Sequence, residues 1–234
     1  MIKDRINSII WNQFPWLALK LHSVGNNTVL DHKEFMEAYL KMIAEGRTYL
    51  SLRDMFNIYY YVSHARNLEG DMAEVGVFQG KGAKFISLFK GDVRLHLFDT
   101  FEGMPALNEA KDTCKMDRFD ETSLERVQSY LKDYPNIEYY KGYFPDTAFN
   151  SSAASRRFSF VHLDADIFQS TLDGLNFFYP RLVEGGVLIS HDYSSQSAPG
   201  VKAAFDIFCR ETGAHPIPLW DTQCLLVKNA KTQI

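Results

Sequence analysis

The chain has 234 residues and a mass of 26.9 kDa, which is enough for one large domain or for a core with a modest extension. Hydrophobic residues make up 46%, charged residues 23% and aromatic residues 14%, and this composition excludes disordered, collagen-like and low-complexity proteins. The formal net charge of −4 and an isoelectric point near 6.0 argue against a protein that neutralises many phosphates, so we expect no nucleic-acid partner.

Neither a membrane span nor a secretion signal is predicted. No apolar run approaches the roughly 18 residues that cross a bilayer, and Asn12, Gln13 and Pro15 interrupt the apolar stretch near the N-terminus. The cysteines are widely spaced, which fits neither a disulfide framework nor a zinc ribbon, so they are predicted to be free thiols. We therefore expect a cytoplasmic protein without a membrane partner.

Helices are predicted for the first quarter of the chain. Apolar residues recur at helical spacing within residues 6–17, and two further helices are predicted between residues 31 and 66, interrupted at Gly46. The first apolar face is expected to pack on the body of the protein, on a partner subunit or over a pocket, with a membrane-surface anchor as the alternative. Residues 1–66 are thus predicted to form a helical extension or lid, through which two chains form a homodimer.

After Gly70, short apolar runs alternate with helical stretches, which is typical of βαβ units around a mostly parallel sheet. Strands are predicted at residues 72–77, 94–98, 137–140, 158–163, 186–190 and 224–227, and helices at 83–89, 123–134, 170–179 and 201–211. Glu184, Gly185 and Gly186 are interpreted as a turn that leads into the fifth strand, which is predicted to begin at Gly186. Residues 104–119 form a long irregular connection that is predicted to be functional, and residues 215–218, with two prolines, indicate a loop or edge strand.

A run of glycines follows the first strand of this α/β domain. Glu74, Gly76, Gly80 and Gly82 stand where the strand turns into a helix, and glycines there allow a tight turn and the close approach of a ligand to the unpaired N–H groups of the helix. The spacing differs from the nicotinamide fingerprint G-x-G-x-x-G. The carboxylate of Glu74 suits an ammonium group, so a cationic, amino-acid-bearing cofactor such as S-adenosylmethionine is favoured; a tight turn without a ligand is the alternative.

The second strand ends at Asp99, which is followed by Thr100. Asp99 lies 25 residues after Glu74, close to the interval of about 20 residues at which such folds place a carboxylate for ribose hydroxyls. Asp99 and Thr100 are therefore predicted to bind the cofactor, although an aspartate here can also cap the turn that follows.

Carboxylates also follow two consecutive buried strands. Asp164 and Asp166 come after residues 158–163, and Asp192, preceded by His191, comes after residues 186–190. Parallel strands end at the same edge of a sheet, so Asp164 and Asp192 are expected side by side. A hard divalent cation such as Mg²⁺ would neutralise them. Without a metal, one carboxylate would have a raised pKa and act as a base, and capping of the following helices is a third interpretation.

Five blocks of the sequence together resemble the macrocin O-methyltransferase family. They are residues 71–77, 98–105, 142–147, 162–168 and 185–193, and the Phe-Asp-Thr-Phe-Glu-Gly block at 98–103 is the most specific. The resemblance implies an S-adenosylmethionine- and Mg²⁺-dependent enzyme that methylates sugar hydroxyls of antibiotics and related natural products. It also implies a class I methyltransferase (Rossmann-like) fold in residues 67–234, with seven strands, the last one antiparallel, and helices on both faces.

The resemblance implies roles for individual residues as well. Glu74 and Gly76 match the cofactor loop, Asp99 matches the ribose-binding acid, Asp164 matches the first aspartate of the metal site, and Asp166 matches a general base assigned in some members. Asp164 is also expected to face the cofactor.

His191 is a departure from the family, which usually has Asp-Asp-Tyr where this chain has His191-Asp192-Tyr193. Asp164, His191 and Asp192 are predicted to hold Mg²⁺ or Mn²⁺. Because an imidazole nitrogen is a poorer ligand for Mg²⁺ than a carboxylate oxygen, a more weakly bound metal, an ion other than Mg²⁺ such as Mn²⁺, and no metal are the alternatives. His191 is also an alternative base to Asp166. Two other functions stay open: methylation of a phenol, carboxylate or carbon acceptor, and a non-catalytic methyltransferase-like subunit that only binds ligands.

Overall fold

The computed structural model describes residues 28–46, 48–104, 110–112 and 119–229. They belong to two compact units that divide between Leu52 and Arg53. The first unit contains a 3-10 turn, Thr28–Asp31, and helix α1, Lys33–Ala44. The apolar face predicted within residues 6–17 and the predicted thiol Cys114 lie outside the described residues, whereas Cys209 and Cys224 are free thiols. The division into an extension (1–66) and a methyltransferase domain (67–234) stays a prediction.

The second unit is built on a sheet of seven strands in the order β3-β2-β1-β4-β5-β7-β6 among its described residues. The strands are β1 Asp71–Val75, β2 Leu95–Asp99, β3 Ile137–Lys141, β4 Phe158–Leu163, β5 Leu182–Ser190, β6 Ile217–Pro218 and β7 Cys224–Val227. Strands β1 to β5 are parallel to their neighbours, and β7 is antiparallel to both β5 and β6. The predicted sheet with an antiparallel last strand is confirmed.

One helix precedes the first strand and the others lie between strands. They are α2 Leu52–Ala65, α3 Lys81–Phe89, α4 Leu124–Tyr130, α5 Asp146–Phe149, α6 Phe168–Phe178 and α7 Pro199–Thr212. Helix α4 begins where Ser123 accepts a hydrogen bond from the Arg126 N–H, and it ends at Tyr130, four residues before the predicted end. No helix in the described parts of the chain is long and apolar enough to span a bilayer.

The middle of the sheet is apolar, as expected for parallel strands that are covered on both faces. All six residues of β4 are buried. Phe98 on β2 packs edge-on against Phe178 of α6, with ring centroids 6.0 Å apart, and Phe144 stacks on Phe178 at 5.6 Å. This packed core fixes the ends of the strands from which the candidate site residues emerge.

The fifth strand begins earlier than predicted. Gly185 and Gly186, interpreted as a turn, lie inside β5, where the pairing with β4 shifts register between Phe158 and Phe160. Glycines inside a strand often mark such an irregularity, because they tolerate the local change of backbone direction. The prediction of a turn at residues 184–186 was wrong, whereas the predicted strand at 186–190 lies within β5.

Candidate active site

The predicted site residues meet at the carboxyl edge of the parallel strands. The ladder continues one residue beyond the strands: the N–H of Gly76 donates to Phe98 O, that of Asp164 to Val75 O, and that of His191 to Leu163 O, at 2.9–3.0 Å. The loops after β1, β4 and β5 therefore leave the sheet at the same level. Asp99, the last residue of β2, stands in line with them.

The glycines after β1 are required by contacts within the protein. Gly76 has a φ of +84°, and a Cβ atom on it would lie 1.8 Å from the main-chain oxygen of Asp164. A Cβ atom on Gly82 would lie 2.2 Å from Glu74 Oε1, and one on Gly80, also with φ +84°, would lie 3.2 Å from Val127. Packing alone thus accounts for these glycines, and their contact with a cofactor stays a prediction.

Glu74 lies beneath this loop and is 1% exposed. Its Oε1 atom pairs with His162 Nδ1 at 2.8 Å, while Oε2 has no hydrogen-bond partner among the residues that the structure describes. Burial raises the pKa of the Glu74 carboxyl, and the hydrogen bond with His162 acts in the opposite direction. A buried polar atom without a partner is costly, so Oε2 is a candidate contact for a ligand that reaches into the loop.

Asp99 forms hydrogen bonds with the loop after β1 and with the loop after β2. Its Oδ2 atom accepts hydrogen bonds from the N–H groups of Val77 (2.6 Å) and Phe78 (2.9 Å), and Oδ1 accepts one from Phe101 (2.6 Å). Phe78 and Phe101 have φ angles of +49° and +54°, which is uncommon for non-glycine residues. The turn-capping role is therefore present in the structure, and the contact of Asp99 with ribose hydroxyls stays a prediction.

A cavity of about 440 Å³ opens where β2 and β3 end, within the size range of small-molecule sites. An ion pair between Lys141 Nζ and Glu102 Oε1, 2.7 Å long, forms part of its wall. The lining residues are Thr100, Glu102, Gly103, Met104, Lys141, Gly142 and Tyr143. Thr100, one of the predicted cofactor-binding residues, thus lines a space that a ligand can enter.

The three residues predicted to bind a metal come together. Asp164, His191 and Asp192 each offer a ligand atom, and these atoms lie within 4.8 Å of one another. His191 Nδ1 is 2.8 Å from Asp192 Oδ2 and 3.2 Å from Asp164 Oδ1. The expectation that neighbouring parallel strands place Asp164 beside Asp192 agrees with this geometry.

Sequence reasoning missed a further acid at this place, Asp54, in the first turn of α2. Asp54 is 3% exposed, and its Oδ2 atom lies 3.6 Å from His191 Nε2. Asp54 precedes His191 by 137 residues, and nothing in the local pattern marks it. We use the term His191 cluster for the group formed by Asp54, Asp164, Asp166, His191 and Asp192.

Asp166 completes the cluster through a hydrogen bond shared with Asp192. Burial and the charges of Asp164 and Asp192 raise the pKa of Asp166 well above its usual range. Although burial opposes the charged form of His191, the neighbouring carboxylates raise its pKa as well. Burial also acts to raise the pKa of Asp192, but hydrogen bonding and charge from His191 lower it overall. The cluster can accordingly attract a cation and exchange a proton.

Residues 110–112, which belong to the connection predicted at 104–119, contact the start of α6. Asp112 Oδ1 accepts a hydrogen bond of 2.8 Å from the N–H of Phe168, the first residue of α6, and Lys111 Nζ lies 3.3 Å from the centre of the Phe168 ring. Helix α6 follows directly on the loop that carries Asp164 and Asp166. Asp112 thus satisfies a free N–H at the start of that helix, from a position 56 residues earlier in the chain.

Residues 37–228 match the sequence profile of a family described as Macrocin-O-methyltransferase (TylF). A tetracenomycin-C 4'-O-methyltransferase that acts on the 8-demethyl-8-(2,3-dimethoxy-alpha-L-rhamnosyl) form, from Streptomyces olivaceus, is 30% identical over 167 residues, 64% of this chain and 63% of the relative. Mycinamicin III 3''-O-methyltransferase from Micromonospora griseorubida is 29% identical over 170 residues, 63% of this chain and 65% of the relative. The match thus spans slightly less than two thirds of both relatives.

Solved structures share the fold. The O-methyltransferase NovP has a TM-score of 0.66 and 22% identity, over 78% of this chain and 82% of its own. The calicheamicin methyltransferase CalS11 has a TM-score of 0.63 and 14% identity, over 88% of this chain and 96% of its own. The predicted class I methyltransferase fold is confirmed.

Proposed function

Since the chain belongs to the macrocin-O-methyltransferase (TylF) family, we propose that it transfers a methyl group from S-adenosylmethionine to a hydroxyl group of a natural-product-like small molecule. The observation that carries the proposal is the geometry of the His191 cluster, whose carboxylates and imidazole lie together at the carboxyl edge of the sheet, where they would serve as proton acceptor and cation ligands. The two relatives described above are named for O-methylation of a rhamnosyl tetracenomycin and of mycinamicin III, which supports a sugar hydroxyl as the acceptor.

The proposed cofactor site lies where β1, β2 and β3 end. The unpartnered Glu74 Oε2 atom suits an ammonium donor, and the cavity lined by Thr100 and Tyr143 lies where the two neighbouring strands end. When bound, S-adenosylmethionine supplies an electrophilic methyl carbon on a sulfonium ion. Gly76 and Asp99 shape the loop against which the cofactor would lie, and alignment of the two reactants supplies much of the acceleration.

The proposed metal ligands are Asp164, His191 and Asp192. Two carboxylates and an imidazole within 4.8 Å of one another fit a divalent cation such as Mn²⁺ or Mg²⁺, since both groups are common ligands. A bound cation would lower the pKa of the acceptor hydroxyl and fix its direction.

Asp166 is proposed as the proton acceptor. The Asp166 carboxylate would take the hydroxyl proton as the acceptor oxygen receives the methyl group and the sulfur leaves with the electron pair of its former bond to that group. His191 is less suited to this role, because Nδ1 faces Asp164 and Asp192 and Nε2 faces Asp54. Its two ring nitrogens are directed at carboxylates instead of at an incoming hydroxyl.

Turnover on a panel of glycosides, phenols and carboxylic acids tests the proposal, with S-adenosylhomocysteine measured by mass spectrometry. Asp166→Asn should lower kcat by roughly a hundredfold or more, as is usual when a general base is lost, with cofactor affinity unchanged. Asp206→Asn, which alters an exposed aspartate of α7, is the matched control. Cofactor binding without product from any acceptor would indicate the non-catalytic alternative, and full activity of Asp166→Asn would exclude Asp166 as the base.

A homodimer formed through residues 1–66 is the remaining part of the proposal. The apolar face at helical spacing within residues 6–17 supports it. Light scattering on the protein as it elutes from a size-exclusion column should give twice the chain mass of 26.9 kDa. A single chain mass at all concentrations would refute the dimer.

A further inference from the structure

We propose that Asp54 positions His191 as a metal ligand: its carboxylate accepts the Nε2 hydrogen of the ring, so that Nδ1 presents its lone pair to the cation shared with Asp164 and Asp192. This inference rests on the metal site of the proposed function and adds a residue outside the ligand set. Asp54 is not itself a metal ligand in this arrangement, and it acts only through His191.

The two ring nitrogens of His191 have different surroundings. Nδ1 lies on the side of Asp192 Oδ2 and Asp164 Oδ1, at 2.8 and 3.2 Å, and belongs to the group of ligand atoms within 4.8 Å. Nε2 faces Asp54 Oδ2 at 3.6 Å. A histidine that binds a metal through one nitrogen almost always donates the other N–H to a carboxylate, a carbonyl or water, and this second bond fixes its tautomer and orientation. Asp54 stands where that carboxylate is required.

The first turn of α2 is held in place by contacts on both sides of Asp54. Arg53 lies with its guanidinium carbon 4.9 Å from the centre of the Trp220 ring, and the Asn57 amide donates a 2.8 Å hydrogen bond to Gln223 Oε1. Cys224, which follows Gln223 in the chain, begins β7 and is paired with Ser190, the last residue of β5. His191 follows Ser190 directly. A continuous set of contacts thus fixes Asp54 relative to His191.

The burial of Asp54 means that its negative charge requires a partner. Asp54 is buried at 3% exposure, and an ionised carboxylate in such a place requires a charge-compensating partner. The imidazole N–H of His191 can donate to Asp54, and a cation bound at Nδ1 would polarise that N–H and strengthen the bond. The 3.6 Å separation is longer than a close hydrogen bond, so metal binding should shorten it.

The test is the affinity of the metal-stripped full chain for Mn²⁺, measured by electron paramagnetic resonance of the free ion without acceptor or cofactor. Asp54→Ala should weaken Mn²⁺ binding by roughly ten- to hundredfold, the usual effect of losing the partner of a histidine ligand. Asp54→Asn keeps an acceptor oxygen without the charge, so its loss should be smaller. The control variant Asp206→Asn should bind Mn²⁺ like the unaltered chain, and the affinity of each variant for S-adenosylhomocysteine should stay unchanged.

The outcomes separate this inference from the proposed function. Equal Mn²⁺ affinity in the unaltered chain and in Asp54→Ala would overturn the positioning role and leave the metal site standing. If Asp54→Ala does not fold by circular dichroism, Asp54→Asn decides: affinity equal to that of the unaltered chain overturns the role, and a several-fold loss supports it. If the unaltered chain binds no Mn²⁺, both the metal site and the role of Asp54 are refuted, while methyl transfer remains to be judged by turnover.

Discussion

Replacing Gly76 by alanine would force β1 and the loop after β4 apart. The new Cβ atom would lie 1.8 Å from the main-chain oxygen of Asp164 and 2.8 Å from its carbonyl carbon, and neither can rotate away as a side chain can. Gly76 also has a φ of +84°, a conformation that costs an L-residue about 1–2 kcal/mol. Gly213 has a similar φ of +70°, but a Cβ atom there would meet nothing within 4 Å. Gly213→Ala therefore measures the backbone cost alone.

The expected effect on stability follows from these two contributions. Gly213→Ala should lower the free energy of unfolding by about 1–2 kcal/mol, and Gly76→Ala should lower it by about 1–3 kcal/mol more, the usual cost of overpacking. Urea unfolding followed by circular dichroism measures both, and equal slopes against urea would show that the denatured states are comparable. If Gly76→Ala loses no more stability than Gly213→Ala, the close approach of Gly76 to Asp164 is refuted.

Three further predictions concern other parts of the molecule. Asp99→Ala should weaken S-adenosylhomocysteine binding more than tenfold in calorimetry, since each hydrogen bond to a charged group contributes about 1.5–3 kcal/mol; unchanged affinity would remove Asp99 from the cofactor site. A chelator should abolish turnover and Mg²⁺ or Mn²⁺ should restore it, because Asp164 and Asp192 would then hold a cation again; full activity of the metal-stripped protein would contradict the metal site. Burial lowers the pKa of His96 from 6.5, although its hydrogen bond with Asp71 opposes the shift. The unfolded chain thus binds more protons below about pH 6.5, and stability should fall as the pH drops through that value. The loss of stability at low pH should be smaller in His96→Gln, and a pH profile of unfolding identical to that of the unaltered chain would contradict the role of His96.

The sequence predicted those parts of the fold that a local pattern encodes. The strands at 158–163 and 224–227 coincide with β4 and β7, because each is a short, mostly apolar run flanked by polar residues. Helix α5, Asp146–Phe149, was missed, since four residues are too few to show a helical period. The turn predicted at Gly185 and Gly186 was wrong because glycine pairs occur both in turns and in irregular strands, and the sequence alone does not distinguish the two.

For the candidate site, too, the sequence predicted only the residues that a local pattern encodes. Asp164 and Asp192 were expected to meet because the ends of neighbouring parallel strands meet by construction. Asp54 could not be foreseen, because its contact with His191 depends on how a helix packs against the edge of the sheet, and its sequence neighbours show only an ordinary first turn of a helix. The same is true of Asp112, which reaches the start of α6 from a loop.

Asp166 and Asp192 share a backbone property that limits which residues can replace them. Their φ angles are +58° and +59°, a region that asparagine and aspartate enter more readily than most residues and that β-branched residues avoid. Libraries that seek new acceptor preferences should therefore confine positions 166 and 192 to aspartate, asparagine and glycine, and place their diversity at neighbouring residues with ordinary backbone angles. Within that small alphabet, an exchange of aspartate for asparagine changes the charge at almost no conformational cost.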